Sequence, residues 1–175
     1  MLDLPKLTLV LGGAASGKSV FAEGLVVQSG RARVYLATAQ TFDDEMRDKV
    51  ARHQAMRGDG WRSIEAPLDL VPALAGARAD EAVLLDCATM WLSNHMLAET
   101  DLAKAEATLI RALTKCAAPV VVVSNEVGLS VVPENALARR FREAQGRLNQ
   151  RLAAEAGLVV NVIAGLPQVL KGTLS

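Results

Sequence analysis

The chain of 175 residues is long enough to bury a substantial core within one domain, taken as residues 1–175, and its 51% hydrophobic and 22% charged content excludes a disordered polymer. Nineteen basic side chains balance nineteen acidic ones, which leaves no electrostatic basis for binding nucleic acid or an anionic membrane surface. Aromatic residues supply only 3%, so the core must come from Ala, Val, Leu and Ile.

The N-terminal MLDLPK carries no basic region, and the apolar run after it is soon cut by glycines, so no signal peptide is expected. No apolar stretch reaches membrane-spanning length. The two cysteines, Cys87 and Cys116, lack metal-ligand spacing and read as buried thiols of a reducing compartment. A cytoplasmic protein is the expectation.

Leu7 to Ser19 reads LTLVLGGAASGKS, an apolar strand followed by G-x-x-x-x-G-K-S. Gly12, Gly13, Ala14, Ala15, Ser16, Gly17, Lys18 and Ser19 thus form a phosphate-binding loop that opens a helix. Its glycines let successive backbone N–H groups turn towards phosphate oxygens, and the helix N-terminus adds partial positive charge. Lys18 can reach the β- and γ-phosphates, and the Ser19 hydroxyl can ligate Mg²⁺. The helix is expected over residues 17–28, with Val20, Leu25 and Val26 apolar, ending at Ser29-Gly30.

Arg33 to Ala37 reads as a second strand, and Thr38-Ala39-Gln40 leaves its end. Thr41 with Asp44 forms a capping box for the next helix, on which Met46, Val50, His53 and Arg57 share a face. Gly58 to Gly60 ends that helix. Trp61 to Glu65 is a short extended piece, and Leu68 to Ala77 resembles a helix. Ala82 to Asp86 is a buried strand whose terminal carboxylate can hold Mg²⁺ opposite the loop serine. Helices follow over Thr89 to Met96 and Asp101 to Cys116, then a valine strand from Val120 to Ser124. Pro133-Glu134-Asn135 starts a helix of about 20 residues, and Leu158 to Ala164 is the last strand. Strand and helix alternate, which implies a three-layer α/β fold of the P-loop NTPase type with a mostly parallel sheet.

On pattern alone, His53 is more often a solvated or structural histidine than a catalytic one. Its meaning changes with a resemblance carried by GGAASGKS, by ATAQTFDDEMRDKVARHQAMRGDGW, by LLDC and by VSNEVGLSVVPENALARRFREAQGRLNQRLA. Together these resemble the bifunctional adenosylcobinamide kinase/adenosylcobinamide-phosphate guanylyltransferase family of cobalamin biosynthesis. The resemblance implies two reactions. A nucleoside triphosphate, ATP or GTP, phosphorylates adenosylcobinamide, and GMP from GTP is then transferred to the phosphate through a GMP-histidine intermediate at the position of His53. It also implies nucleotide contacts at Ala37, Thr38 and Ala39, at Gln54, Ala55, Met56 and Arg57, and at Glu65 and Asp86, and it implies a homo-oligomer. Two residues depart from the family pattern: Ala15 stands where an Arg is common, and Gly58 follows Arg57 where a Pro is common.

Two other readings come from the residues. A plain small-molecule kinase would transfer only the γ-phosphate and leave His53 structural. A nucleotide-binding regulator is disfavoured, because the chain has no N-K-x-D element for reading guanine and no basic or apolar interaction tail.

Overall fold

The computed structural model describes residues 1–40 and 43–174. Seven strands form one sheet in the order β3-β2-β4-β5-β1-β6-β7. The strands are β1 Leu7–Gly12, β2 Ala32–Ala37, β3 Trp61–Glu65, β4 Glu81–Asp86, β5 Val120–Asn125, β6 Leu158–Ile163 and β7 Leu166–Lys171. All pairings are parallel except β6 with β7. The helices are α1 Lys18–Gln28, α2 Asp44–Arg57, α3 Val71–Ala75, α4 Ala88–Leu97, α5 Leu102–Lys115 and α6 Ala136–Glu155.

Strand alternation divides the core in two. Leu7, Leu9, Val83, Leu85, Val120 and Val122 face α3, α4, α5 and α6, whereas Val10, Leu84, Val121, Val123 and Val160 face α1. The valine run of β5 is therefore buried on both faces, as a central parallel strand requires. On α1 it is Ala22, Leu25 and Val26 that are buried, while Val20 points to solvent, contrary to expectation. Burying each of Leu25 and Val26 stabilises the fold by about 1.5–3 kcal/mol.

Side-chain caps set several helix starts. Asp101 accepts from Lys104 N, and Asn135 accepts from Leu137 N and Ala138 N. Asp43 caps α2 by accepting from Met46 N at 2.8 Å. The capping box expected at Thr41 falls on a residue outside the described ones. The helix expected over Leu68 to Ala77 shrinks to Val71–Ala75, since Pro72 fits only a first turn and Gly76 closes it.

One strand, β7, lies beyond the last one expected from the sequence. Leu166–Lys171 pairs antiparallel with β6 across a two-residue turn, Ala164 at φ 51° and Gly165 at φ 77°. All six of its residues are exposed and it carries Pro167, so it has neither a buried face nor an uninterrupted donor row. Among the described residues no helix is long and apolar enough to cross a membrane.

Candidate nucleotide site

Register gathers most of the expected site residues at one edge of the sheet. Gly12 lies opposite Asn125 and Val162, and Ala37 lies opposite both Glu65 and Asp86. This is the carboxyl edge, where open α/β sheets bind ligands.

The loop after β1 is tightly enclosed. A Cβ on Gly12 would run into Ser16 Oγ and come within 2.8 Å of the Val162 carbonyl. Gly17, at φ 92°, begins α1. Its neighbour is the hairpin turn, where Gly165 N donates to Ser16 O at 2.7 Å. The loop is thus buttressed by the β6–β7 strand pair. Glu126 N donates to Gly12 O at 3.0 Å, and Lys18 Nζ donates to Gly13 O at 3.0 Å across the loop. Burial holds the Lys18 ammonium below its ordinary pKa, against the raising effect of Cys87 and Asp86 nearby. Ala15 is exposed and left-handed at φ 53°, so the position that lacks the family's Arg carries some backbone strain.

At the end of β2, Tyr35 Oη donates to Asp86 Oδ2 at 2.7 Å. The Arg57 guanidinium lies over the Tyr35 ring, 3.4 Å from its centroid, and Trp61 meets the ring edge-on at 6.2 Å. Burial, with the Asp86 carboxylate, pushes the Tyr35 phenol well above its ordinary value, so it stays a donor. Burial likewise raises Glu23 on α1, with Arg57 opposing and Asp86 adding to the shift. Cys87 follows Asp86 and is pushed up to about 11 by burial; its Sγ accepts from Met90 N at the start of α4.

Thr38 is fully buried, and its hydroxyl accepts from Cys87 N at 2.9 Å and donates to Cys87 O at 2.8 Å. It clamps the ends of β2 and β4 together beneath the site, and Asn94 Nδ2 donates to its carbonyl at 2.7 Å. Ala39 is half-buried on the segment that leaves the strand, and Glu65 is exposed at the end of the edge strand β3. Gln54, Ala55 and Met56 occupy the exposed last turn of α2. His53 is exposed on α2, one turn before Arg57. Met46, Val50 and Arg57 on its face are half-buried. Gly58, at φ 71°, takes the chain out of α2 by a path closed to proline, whose ring fixes φ near −65°.

Behind the loop lies a polar network that the sequence reading missed. Asn149 Oδ1 accepts from Ser124 Oγ at 2.6 Å and from Gln145 Nε2 at 2.9 Å, while Asn149 Nδ2 donates to Asn125 O at 3.2 Å. Asn125 N in turn donates to Thr89 Oγ1. The signal available was the four-residue spacing of Gln145 and Asn149, which sets two amides on a helix face otherwise lined by Leu148, Leu152 and Ala144.

For Mg²⁺ the hard donors are the Ser19 hydroxyl and Asp86. Tyr35 occupies Oδ2 of that carboxylate, and among the described residues Oδ1 has no hydrogen-bond donor. Magnesium takes few protein ligands and keeps water and phosphate oxygens, so this donor set fits an ion arriving with a nucleotide. Among the described residues no group of three or more His, Cys, Asp or Glu side chains could hold an ion unaided.

The fold is that of P-loop NTPases. It matches flagellar accessory protein FlaH from Methanocaldococcus jannaschii (TM-score 0.54, 14% identity, covering 97% of this chain and 80% of that one). It also matches a Pyrococcus horikoshii protein, Project ID PH0250 (TM-score 0.57, 11% identity, 98% and 89%). Sequence relatives go further. The chain is 42% identical to the bifunctional adenosylcobalamin biosynthesis protein CobP of Pseudomonas aeruginosa, covering 94% of this chain and 96% of that one. It is 40% identical to the bifunctional adenosylcobalamin biosynthesis protein CobU of Salmonella typhimurium, covering 94% and 99%. The family model described as cobinamide kinase / cobinamide phosphate guanyltransferase matches residues 8–170. With its loop, strand-end carboxylate and histidine helix in one such fold, the chain belongs to the cobinamide kinase / cobinamide phosphate guanyltransferase family of cobalamin biosynthesis.

Proposed function

We propose that this chain phosphorylates adenosylcobinamide with ATP or GTP and then transfers GMP from GTP to the product through His53, giving adenosylcobinamide-GDP. The observation that carries this reading is the meeting of two elements. The phosphate loop and Asp86 end at the same sheet edge, and Arg57, one turn from His53 on α2, stacks on the ring that holds Asp86.

The triphosphate lies along residues Gly12 to Ser19, where the loop N–H groups and Lys18 meet its oxygens. Lys18 leaves the Gly13 carbonyl to do so. Mg²⁺, when bound by Ser19, Asp86 and the phosphates, neutralises charge on the transferring and leaving groups. In the first reaction the substrate hydroxyl attacks the γ-phosphorus and gives up its proton to solvent, the bond to the β–γ bridging oxygen breaks, and the nucleoside diphosphate leaves with the electron pair. The loop contributes positioning and charge stabilisation, with no covalent intermediate.

In the second reaction an unprotonated ring nitrogen of His53 attacks the α-phosphorus. A nitrogen–phosphorus bond forms, the α–β bridging bond breaks, and its electron pair leaves with pyrophosphate. Arg57, Lys18 and the loop amides offset the developing charge. An oxygen of adenosylcobinamide phosphate then attacks the same phosphorus and the imidazole departs neutral. Two displacements replace one that would bring two polyanions together directly. The contacts proposed for Ala37, Thr38, Ala39, Gln54, Ala55, Met56 and Glu65 follow from their places around this edge; Thr38 contributes through its backbone and the floor it clamps.

The test is incubation with GTP labelled at either the α- or the γ-phosphorus. Retention of the α label on denatured protein, and its release onto adenosylcobinamide phosphate, supports the proposal. Transfer of the γ label to a small acceptor with no α label ever on the protein favours a plain kinase.

A further inference from the structure

The helix that carries His53 has no buried residue, although it is 14 residues long. Its attachment to the sheet is therefore shallow, and Arg57 at its last position stacks on the Tyr35 ring. The guanidinium sits 3.4 Å above the Tyr35 ring centroid, and among the described residues its buried Nη1 atom has no hydrogen-bond acceptor. Among the described residues no ion pair within 4.0 Å holds Arg57, and the ring is the contact that fixes it. Tyr35 itself is 7% exposed, braced by Trp61 and tied through its hydroxyl to Asp86. It is the only tyrosine in the chain.

We propose that Tyr35 is a positioning residue with two separable tasks: its ring seats the C-terminal end of α2 and so sets the reach of His53, while its hydroxyl orients the Asp86 carboxylate. The first task rests on the proposed role of His53; the second does not. His53 lies four residues before Arg57, about 6 Å along the helix axis, so loosening the seat moves the imidazole by a distance that matters for in-line attack. The hydroxyl acts on every reaction that uses Asp86. The ring acts chiefly on the histidine step, because only that step takes its attacking group from α2.

Tyr35→Phe keeps the ring and removes the hydroxyl; Tyr35→Leu removes both. Three readouts separate them: amide hydrogen exchange over residues 44–57, the Mg²⁺ concentration at half-maximal GTP binding, and the rates of the two half-reactions. In Tyr35→Phe the Mg²⁺ midpoint is expected to rise about tenfold or more, as for loss of a hydrogen bond to a charged group, with exchange in α2 unchanged. Tyr35→Leu is expected to show the same Mg²⁺ shift, exchange in α2 faster by about tenfold, and GMP-adduct formation slower than in Tyr35→Phe by a further factor of about ten. Phosphoryl transfer should differ from that of Tyr35→Phe by a smaller factor than adduct formation does.

Should Tyr35→Leu fail to fold, Arg57→Gln removes the stacked cation from the helix side, and its α2 exchange must rise in the same way. Equal adduct rates and equal exchange in the Phe and Leu variants overturn the seat; an unchanged Mg²⁺ midpoint in Tyr35→Phe overturns the hydroxyl's task. If wild type forms no adduct at all, the role of His53 fails, while the exchange and Mg²⁺ readouts still judge Tyr35.

Discussion

Replacing Asn149 with Leu removes the centre of the amide network behind β5. Three hydrogen bonds go: those from Ser124 Oγ and Gln145 Nε2, and that to Asn125 O. At about 1 kcal/mol net for each bond the loss is about 3 kcal/mol. The added apolar volume offers little relief, because Gln145 keeps a buried amide whose Oε1, among the described residues, already lacks a partner and whose Nε2 retains only Ser124 Oγ. For a chain of this size about 3 kcal/mol lowers the melting temperature by about 6–12 °C.

The effect should reach the site as well. Asn125 ends the strand beside Gly12, and the next residue donates its N–H to Gly12 O. GTP affinity should therefore fall along with stability. Urea denaturation of Asn149→Leu, Gln145→Leu and the double variant is the assay. The double variant should lose less than the sum of the single losses, because the second substitution removes a group that the first left unpaired. A single-variant loss below about 1 kcal/mol, or strict additivity, would refute the reasoning.

Other consequences can be checked independently. Gly12→Ala should abolish GTP binding measured by calorimetry while the chain stays folded, because the new Cβ meets Ser16 Oγ and the Val162 carbonyl. Ala15→Gly relieves a left-handed alanine and should leave stability unchanged or raise it by up to about 1 kcal/mol in thermal melts. Gly58→Pro, which restores the residue common in the resembled family, should slow adduct formation here, since φ 71° is closed to proline; an unaffected rate would show that α2 ends differently in solution. Glu81 is held below its ordinary carboxylate value by the Arg78 N–H and then by the Arg62 side chain. A carboxylate with a lowered folded pKa contributes stability that is complete above its unfolded value and is lost as the pH falls through its folded one. Stability measured from about pH 5 down to about pH 3 should therefore fall less steeply in Glu81→Gln than in wild type.

The phosphate loop, the strand-end aspartate and the alternation of elements were legible because each has a local signature: glycine spacing, an apolar run ending in a carboxylate, and helix starts such as Pro133-Glu134-Asn135. β7 was not legible, because an exposed edge strand with Pro167 lacks the alternation that marks a half-buried one. Tyr35 carries no sequence signal beyond its place in the strand Arg33 to Ala37. Its meaning lies in a contact with Arg57 and a hydrogen bond to Asp86, 51 residues away, and pattern does not encode either. The Ser124, Gln145 and Asn149 network needed the register of α6 on β5 before its residues could be seen as partners. His53 is the converse case. Its position on α2 was clear, but an exposed histidine on a polar helix has no intrinsic mark of catalysis, and the resemblance supplied the role.

The most direct measurement is the intact mass of the protein after incubation with GTP and Mg²⁺, for wild type and for His53→Ala. Wild type should gain one acid-labile GMP, and His53→Ala, still folded and still binding GTP, should gain none. A folded, GTP-binding wild type that gains no GMP, or an adduct that persists in His53→Ala, would contradict the covalent role assigned to this histidine.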